Sequence, residues 1–344
     1  MSEDLNALYP RNCTFTQNNW TVLSRFWHVV AFADEVTDTP VSVTLLDVPL
    51  VLFRGSDGAI AAAHDLCPHR GSLLSQGEVI EGTLTCPYHG FRYDGTGRCV
   101  LVPSNKPGAS ISDKLHLNLM NVREHANLIW VCLDGEELAP VPDWPELADD
   151  GLQNYHLPGI HAGTSATRFC ENFNDVAHFA FVHAGTFGGG CKQVVDDHKV
   201  TRTECGLHHA LVIEQIDRVT LDGSEEETTA AHYSYDFTFP FANKMHIRFD
   251  EERSQHIFAA VSPISSARCR VHMQFARNYD LDESIEESLE FERAVTAEDL
   301  EVIEKVSPAE TPLDLSEEFH VPADRWSVAF RRSWKEFGLA QETL

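Results

Sequence analysis

Apolar and polar positions alternate in short runs over the first third of the chain. "VSVTLLDVPLVLFRGSDGAIAAAH" (41–64) has β-branched and aliphatic stretches interrupted at 47–49 and 55–58, a hairpin pattern. "TLTC" (83–86) and "FRYDGTGRCVLV" (91–102) continue it, with turn chemistry at 94–97. The apolar run 126–133 reads as a closing strand. Three prolines and many acids in "DGEELAPVPDWPELADDG" (134–151) then break the pattern and predict a boundary near 135–150. Further on, "ENFNDVAHFAFVH" (171–183) reads as a helix that ends before Gly185. Short alternating runs such as "HYSYDFTFPF", "KMHIRFD" and "HIFAAVSPI", within about 208–279, predict an antiparallel sheet. Residues 284–306 place Ile285, Leu289, Val295 and Ile303 roughly on one face of a long helix, and "DRWSVAFRRSWKEF" (324–337) reads as another amphipathic helix. The predicted fold is α+β. After a lead-in at 1–19, an all-β domain spans 20–140, and an α+β domain with a central antiparallel sheet and helices spans 141–344.

Charge narrows the partners. With 26 basic and 53 acidic residues the formal charge is −27. Such a chain repels phosphates and anionic lipid, so neither nucleic acid nor a membrane is an expected partner. No run of about 18 apolar residues appears, and the first residues lack the apolar core of a signal peptide. A cytoplasmic protein is the expectation. The nine cysteines are an odd number spread along the chain, unlike a secreted disulfide framework. Cys13, Cys99, Cys132, Cys170, Cys191, Cys205 and Cys269 lack ligand spacing and read as small core residues.

Four residues do have that spacing. Cys67 and His69, then Cys86 and His89, form C-x-H and C-x-x-H pairs separated by sixteen residues. Zinc sites of the Cys2His2 type usually put two cysteines on one knuckle and the histidines together. Here each loop offers one thiolate and one imidazole, which suits a [2Fe-2S] cluster with one iron held by each ligand type. "CPHRGSLLSQGEVIEGTLTCPYHGFRYDGTGRC" resembles the Rieske motif of the Rieske non-haem iron oxygenases, and the match continues through Tyr88, Phe91, Tyr93, Asp94 and Gly97.

A second group lies about 90 residues downstream. Asp175, His178 and His183 form D-x-x-H-x-x-x-x-H. Two histidines and a carboxylate on one face of Fe(II) leave positions open for O2. Asp175 and His178 share a helix face at a spacing of three. His178 and His183 are about 140° apart on an ideal helix, so both reach one metal only where the helix is distorted or ends.

The same resemblance implies a mononuclear iron held by His178, His183 and a carboxylate in "TAEDLEVIEKV", with Asp299 as the ligand and Glu298 or Glu301 as substitutes. It implies Asn172 near the iron; the plainer reading of Asn172 is a helix N-cap. It implies a homotrimer in which Asp175 bridges His178 to a neighbouring chain's His89.

"SRFWHVVAFADEV" resembles the family's N-terminal lead-in, and "VPADRWSVAFRRSWKEF" resembles its short, α-subunit-only branch, particularly the methylxanthine N-demethylases, a branch that also contains vanillate and dicamba O-demethylases. The implied activity is that of the terminal oxygenase of a multicomponent monooxygenase. It would use O2 and electrons from an NAD(P)H-dependent reductase, with or without a ferredoxin, to hydroxylate or demethylate a small aromatic or heteroaromatic substrate. The alternatives are an aromatic ring dihydroxylating dioxygenase, a non-catalytic Rieske electron-transfer protein and a structural zinc protein. Arg70, Arg92, Arg98 and Lys106 are expected to form a basic docking face for the electron donor. Phe179, Phe181, Phe237, Phe239 and Phe241 could line a pocket, but core packing is their plainer role.

Overall fold

The interruptions in the early apolar pattern are turns. Leu46 and Asp47 take positive φ (52° and 62°), so a two-residue turn joins strands Val41–Leu45 and Val48–Arg54 with Leu45 opposite Val48. In the next turn the Asp57 carboxylate accepts the Ala59 N–H at 3.0 Å. Strand Ile60–His64 follows and completes a three-stranded sheet. A second sheet orders Glu78–Ile80, Thr83–Thr85, Arg92–Tyr93 and Cys99–Leu101 as a meander. A third sets Leu128–Cys132 between His28–Phe32 and Asn121–His125. Helix α1 (Gln17–Leu23) starts at Thr16, whose side chain accepts the Asn19 N–H, and Trp20 donates from its indole to the Leu46 carbonyl. One buried cluster contains Phe53, Leu74, Leu84 and Tyr93 together with Cys67 and Cys86.

The structure is a computed structural model that describes residues 8–216, 228–282, 284–339 and 343–344. Residues 1–7 of the expected lead-in and 217–227 of the expected sheet region lie outside the described residues. The chain divides into two compact units, Met1–Val141 and Pro142–Leu344.

The second unit is built on an antiparallel sheet. Its order is Gln153–His156, Arg268–Arg277, Ser254–Ser265, Ala242–Arg248, Thr228–Thr238, Gly206–Ile216 and Thr201–Arg202, and Ile160–Ala162 also pairs with Arg268–Arg277. Consecutive long strands are hairpin neighbours, which keeps the register simple: Tyr235 faces His209 on one side and Met245 on the other.

Where one helix was expected over 171–183, there are two. Helix α2 (Ala166–Asn174) starts at Ser165, whose hydroxyl accepts the Arg168 N–H at 3.2 Å. It stops because Asp175 turns extended (ψ 147°) and its carboxylate accepts the N–H groups of Ala177 (3.1 Å) and His178 (3.0 Å). That side chain competes with the helical bonds. A single turn, α3 (Phe179–Val182), follows. Asp175 and His178 therefore meet across a break, not along a helix face.

Helix α4 (Ile285–Ile303) is capped by Ser284. Its buried positions are Glu292, Thr296 and Ile303, whereas Ile285 of the expected apolar face is 39% exposed. Helix α5 (Arg325–Ser333) packs Trp326 and Phe330 on Phe237, with ring centroids 5.5 and 5.3 Å apart. Phe239 stacks edge-on to Trp334 at 5.1 Å. Phe237, Phe239 and Phe241 are thus core, while Phe181 is 63% exposed. Buried Arg331 on α5 grips Glu171 of α2 with two hydrogen bonds (2.6 and 2.8 Å), and Glu318 joins Arg331 and Arg168. This network fixes α2, the helix that carries Asn172.

Candidate active site

The two cysteine–histidine loops share one construction. In each, a glycine four residues after the cysteine takes positive φ (Gly71 67°, Gly90 68°). Its N–H returns to the cysteine carbonyl, at 2.8 Å for Gly71 and 3.0 Å for Gly90. A Cβ disfavours that conformation, which explains a glycine after each pair. The thiols of Cys67 and Cys86 point into the core and the imidazoles lie exposed, with the His69 and His89 rings 4.7 Å apart. Tyr93, fully buried, places its hydroxyl 3.3 Å from the Cys67 sulfur. Burial pushes the Cys67 thiol above its ordinary value. The two cysteines are thus buried while the two imidazoles neighbour each other at the surface, a separation by ligand type that fits a two-iron cluster with one iron held by each.

In the second unit, His178, His183 and Asp299 converge, with one ligand atom from each within 4.8 Å of the others. His178 Nε2 lies 3.2 Å from His183 Nε2, and the Asp299 Oδ1 atom is 3.4 Å from the first and 3.2 Å from the second. Three cis donors around one ion, at bonds of about 2.1 Å, stand about 3.0 Å apart, so this triangle fits a facial site. The far side of each ring is occupied. His178 Nδ1 donates to Asp175 at 2.8 Å, and His183 Nδ1 donates to Glu298 at 2.8 Å. With both Nδ1 protons committed to carboxylates, the Nε2 atoms are what is left to face Asp299, and a cation bound there would take the place of a proton between them.

Local packing holds these groups in place. The His183 ring stacks on Phe187 at 4.8 Å, and Thr186 donates its hydroxyl to Glu298 at 2.8 Å. A Cβ on Gly188 would lie 2.1 Å from the Phe179 carbonyl, so the turn after His183 requires glycine. Asn172 is not an N-cap; it lies inside α2 and donates to Asp299 Oδ1 at 3.1 Å. Burial opposes charge on His178, but the carboxylates of Asp175 and Asp299 overcome it and raise its pKa to about 9. Burial also opposes charge on Asp299, yet hydrogen bonds from His178 and His183 bring it down to about 2. A cavity opens beside the triad, lined by Phe169, Phe173, Phe179, Tyr233, Phe249 and Phe291 among others. Its aromatic walls suit a flat apolar ring.

Comparison with known proteins gives the same two parts. Residues 26–123 match the Rieske [2Fe-2S] domain, and residues 162–339 match the vanillate O-demethylase oxygenase C-terminal domain. The methylxanthine N3-demethylase of Pseudomonas putida is 31% identical over 93% of this chain and 91% of its own length. The chain belongs to the Rieske non-haem iron oxygenases. The methylxanthine N1-demethylase of the same organism is 30% identical over 91% of this oxygenase and 89% of its own length. The solved structure of that enzyme with caffeine superposes with a TM-score of 0.81 at 27% identity, covering 95% of this chain and 97% of the other. A [2Fe-2S] cluster and a mononuclear iron are accordingly cofactors of this oxygenase.

Sequence reasoning considered Glu298 as a ligand, but the structure puts it behind His183. Glu301 is exposed beside Lys305. Gln255, Tyr279 and Glu292 also line the cavity, and no spacing along the chain points to them, whereas Thr186 stands only three residues after His183. Of the expected docking residues, Arg70, Arg98 and Lys106 are exposed. Arg92 instead turns its guanidinium to Thr83 and the Ile80 carbonyl, both at 2.7 Å. Among the described residues no helix is long and apolar enough to cross a membrane.

Proposed function

We propose that Cys67, His69, Cys86 and His89 hold the [2Fe-2S] cluster, that His178, His183 and Asp299 hold the mononuclear Fe(II), and that the oxygenase removes an N- or O-methyl group from a small aromatic or heteroaromatic substrate. The observation that carries this reading is the facial donor triangle beside an aromatic-lined cavity. N-demethylation is also the activity of the two relatives matched nearly end to end.

When bound, the two iron centres supply one-electron delivery and O2 activation for hydroxylation of the methyl carbon, and the product then loses formaldehyde. The chain's own residues prepare for this. Asp175 and Glu298 keep protons on the Nδ1 atoms, which fixes both imidazole tautomers and leaves Nε2 free to ligate. Asn172 pins the Asp299 carboxylate. The aromatic walls exclude water and hold the ring flat. In a homotrimer, Asp175 would also receive a neighbouring chain's exposed His89, giving electrons a short path between chains. Electrons would come from NAD(P)H through a separate reductase, with or without a ferredoxin.

Anaerobically purified protein should contain about three irons and two sulfides per chain and develop a reduced Rieske EPR signal with dithionite. With a reductase, NADH and O2, N-methyl or O-methyl substrates should yield formaldehyde. Two irons after Fe(II) reconstitution would refute the oxygenase assignment of the second unit. Hydroxylated product without formaldehyde would refute demethylation.

A further inference from the structure

Among the described residues, one carboxyl besides Asp299 lines the cavity. Glu292 is 7% exposed and sits on α4 seven residues before Asp299, two turns away on the same face. Its Oε1 accepts the Gln255 side-chain N–H at 2.8 Å, and Gln255 in turn accepts the Tyr279 hydroxyl at 2.8 Å. This chain of bonds aims the carboxyl. Among the described residues the Gln255 bond is the one side-chain hydrogen bond that Glu292 accepts, and the residue lines the cavity, which leaves its second oxygen to whatever occupies that space. Arg277 faces it but spends its hydrogen bonds on Gln153 (3.0 Å) and the Asp280 carbonyl (3.1 Å). A largely buried carboxyl on the wall of an aromatic-lined cavity is best satisfied by a hydrogen-bond donor on the molecule that fills it. Burial raises its pKa to about 7. Tyr155, Tyr233 and Tyr279 are the other titratable groups around it.

We propose that Glu292 orients the substrate by accepting a hydrogen bond from a ring N–H, so that the oxygenase selects heteroaromatics that keep a ring N–H over their fully N-alkylated analogues. This deepens the demethylase reading and rests on it for the identity of the cavity. The donor would satisfy Oε2 and fix the ring's rotation beside the triad. An alkylated analogue would leave the carboxyl buried and unpaired, and a site built this way discriminates strongly.

The test is calorimetric titration of the anaerobic holoprotein with matched probes: theobromine or theophylline against caffeine, and indole against 1-methylindole. Each N–H member should bind about tenfold or more tighter than its alkylated partner. Glu292→Met should bring each pair within about twofold, while Glu292→Gln, which keeps an acceptor oxygen, should retain part of the preference. Equal binding within the wild-type pairs, failure of every probe to bind, or preference surviving in Glu292→Met would overturn the proposal. The wild-type comparison needs no variant to fold, and cluster EPR with thermal melting checks the variants. Formaldehyde release is read separately. An N–H preference with no formaldehyde from any N-methylated probe would sink demethylation and leave the role of Glu292 standing. Formaldehyde without that preference would do the reverse.

Discussion

Replacing Glu298 with Gln should weaken iron binding without dismantling the site. Glu298 accepts the Nδ1 proton of His183 at 2.8 Å and the Thr186 hydroxyl at 2.8 Å. His183 is only 2% exposed, so water has little room to replace the carboxylate. Glutamine keeps the volume and can still accept through its amide oxygen; what disappears is the negative charge that makes the imidazole a better donor to a metal. Loss of such an outer partner lowers metal affinity by about 10–100-fold, or about 1.4–2.7 kcal/mol. Thr186→Val removes only the hydroxyl that steadies Glu298, and a hydrogen bond of about 1 kcal/mol makes that about a fivefold effect. Anaerobic Fe(II) titration against a chromogenic chelator measures both, with acid-labile sulfide as the internal standard for intact cluster. Glu298→Gln within twofold of the wild type, or Thr186→Val the more damaging change, would refute the role given to the carboxylate. A parallel loss of sulfide would show that the variant had misfolded.

Tyr93→Phe removes the hydroxyl 3.3 Å from the Cys67 sulfur and should make the cluster harder to reduce, by about 40 mV for a bond of about 1 kcal/mol; a redox titration followed by EPR measures it. Arg331→Met strands the buried Glu171 and should cost about 3 kcal/mol, toward the low end because Arg168 remains 3.6 Å from Glu171; urea denaturation reads the loss. Glu292→Gln should change the pH dependence of stability. The Glu292 carboxyl titrates near 4.5 when unfolded and near 7 when folded. Below about pH 4.5 both states are protonated and burial carries no charge penalty. As pH rises toward 7 the unfolded chain ionises first, so the wild type loses stability, by about 3 kcal/mol in full. The variant should match the wild type near pH 4.5 and exceed it at pH 8, and melting curves that stay parallel across that range would contradict this.

The cluster loops were legible because their chemistry is local: each cysteine and histidine stand within four residues, and the supporting glycines follow at once. The strand pattern from 41 to 64 was legible for a similar reason, since the turns carry their own chemistry in Asp47 and Asp57. The segment 171–183 was harder. Its composition favours one helix, and only the Asp175 side chain, by capping Ala177 and His178, divides it. Helix α4 misled in the other direction. Hydrophobic periodicity looks for an apolar inner face, but this one turns Glu292 and Thr296 inward, and a functional face with polar residues breaks the rule on which such reading depends. Glu292, Gln255 and Tyr279 meet only after the sheet and helix are assembled, so no window of sequence contains them.

Helix α4 is also a ruler. Seven residues at 1.5 Å each put about 10 Å along its axis between Glu292 and Asp299. Helical side chains lean the same way, toward the N-terminus, so the gap between the Cα atoms carries over to the carboxyl groups. A rigid rod allows little adjustment of that length. With Glu292 as the acceptor, molecules would be graded by how far their reactive methyl lies from their polar edge, and a fused pair of rings would span more of the gap than a single ring. Moving the acidic residue by one turn, to 288 or 296, would reset the scale by about 5–6 Å while leaving the iron ligands where they are.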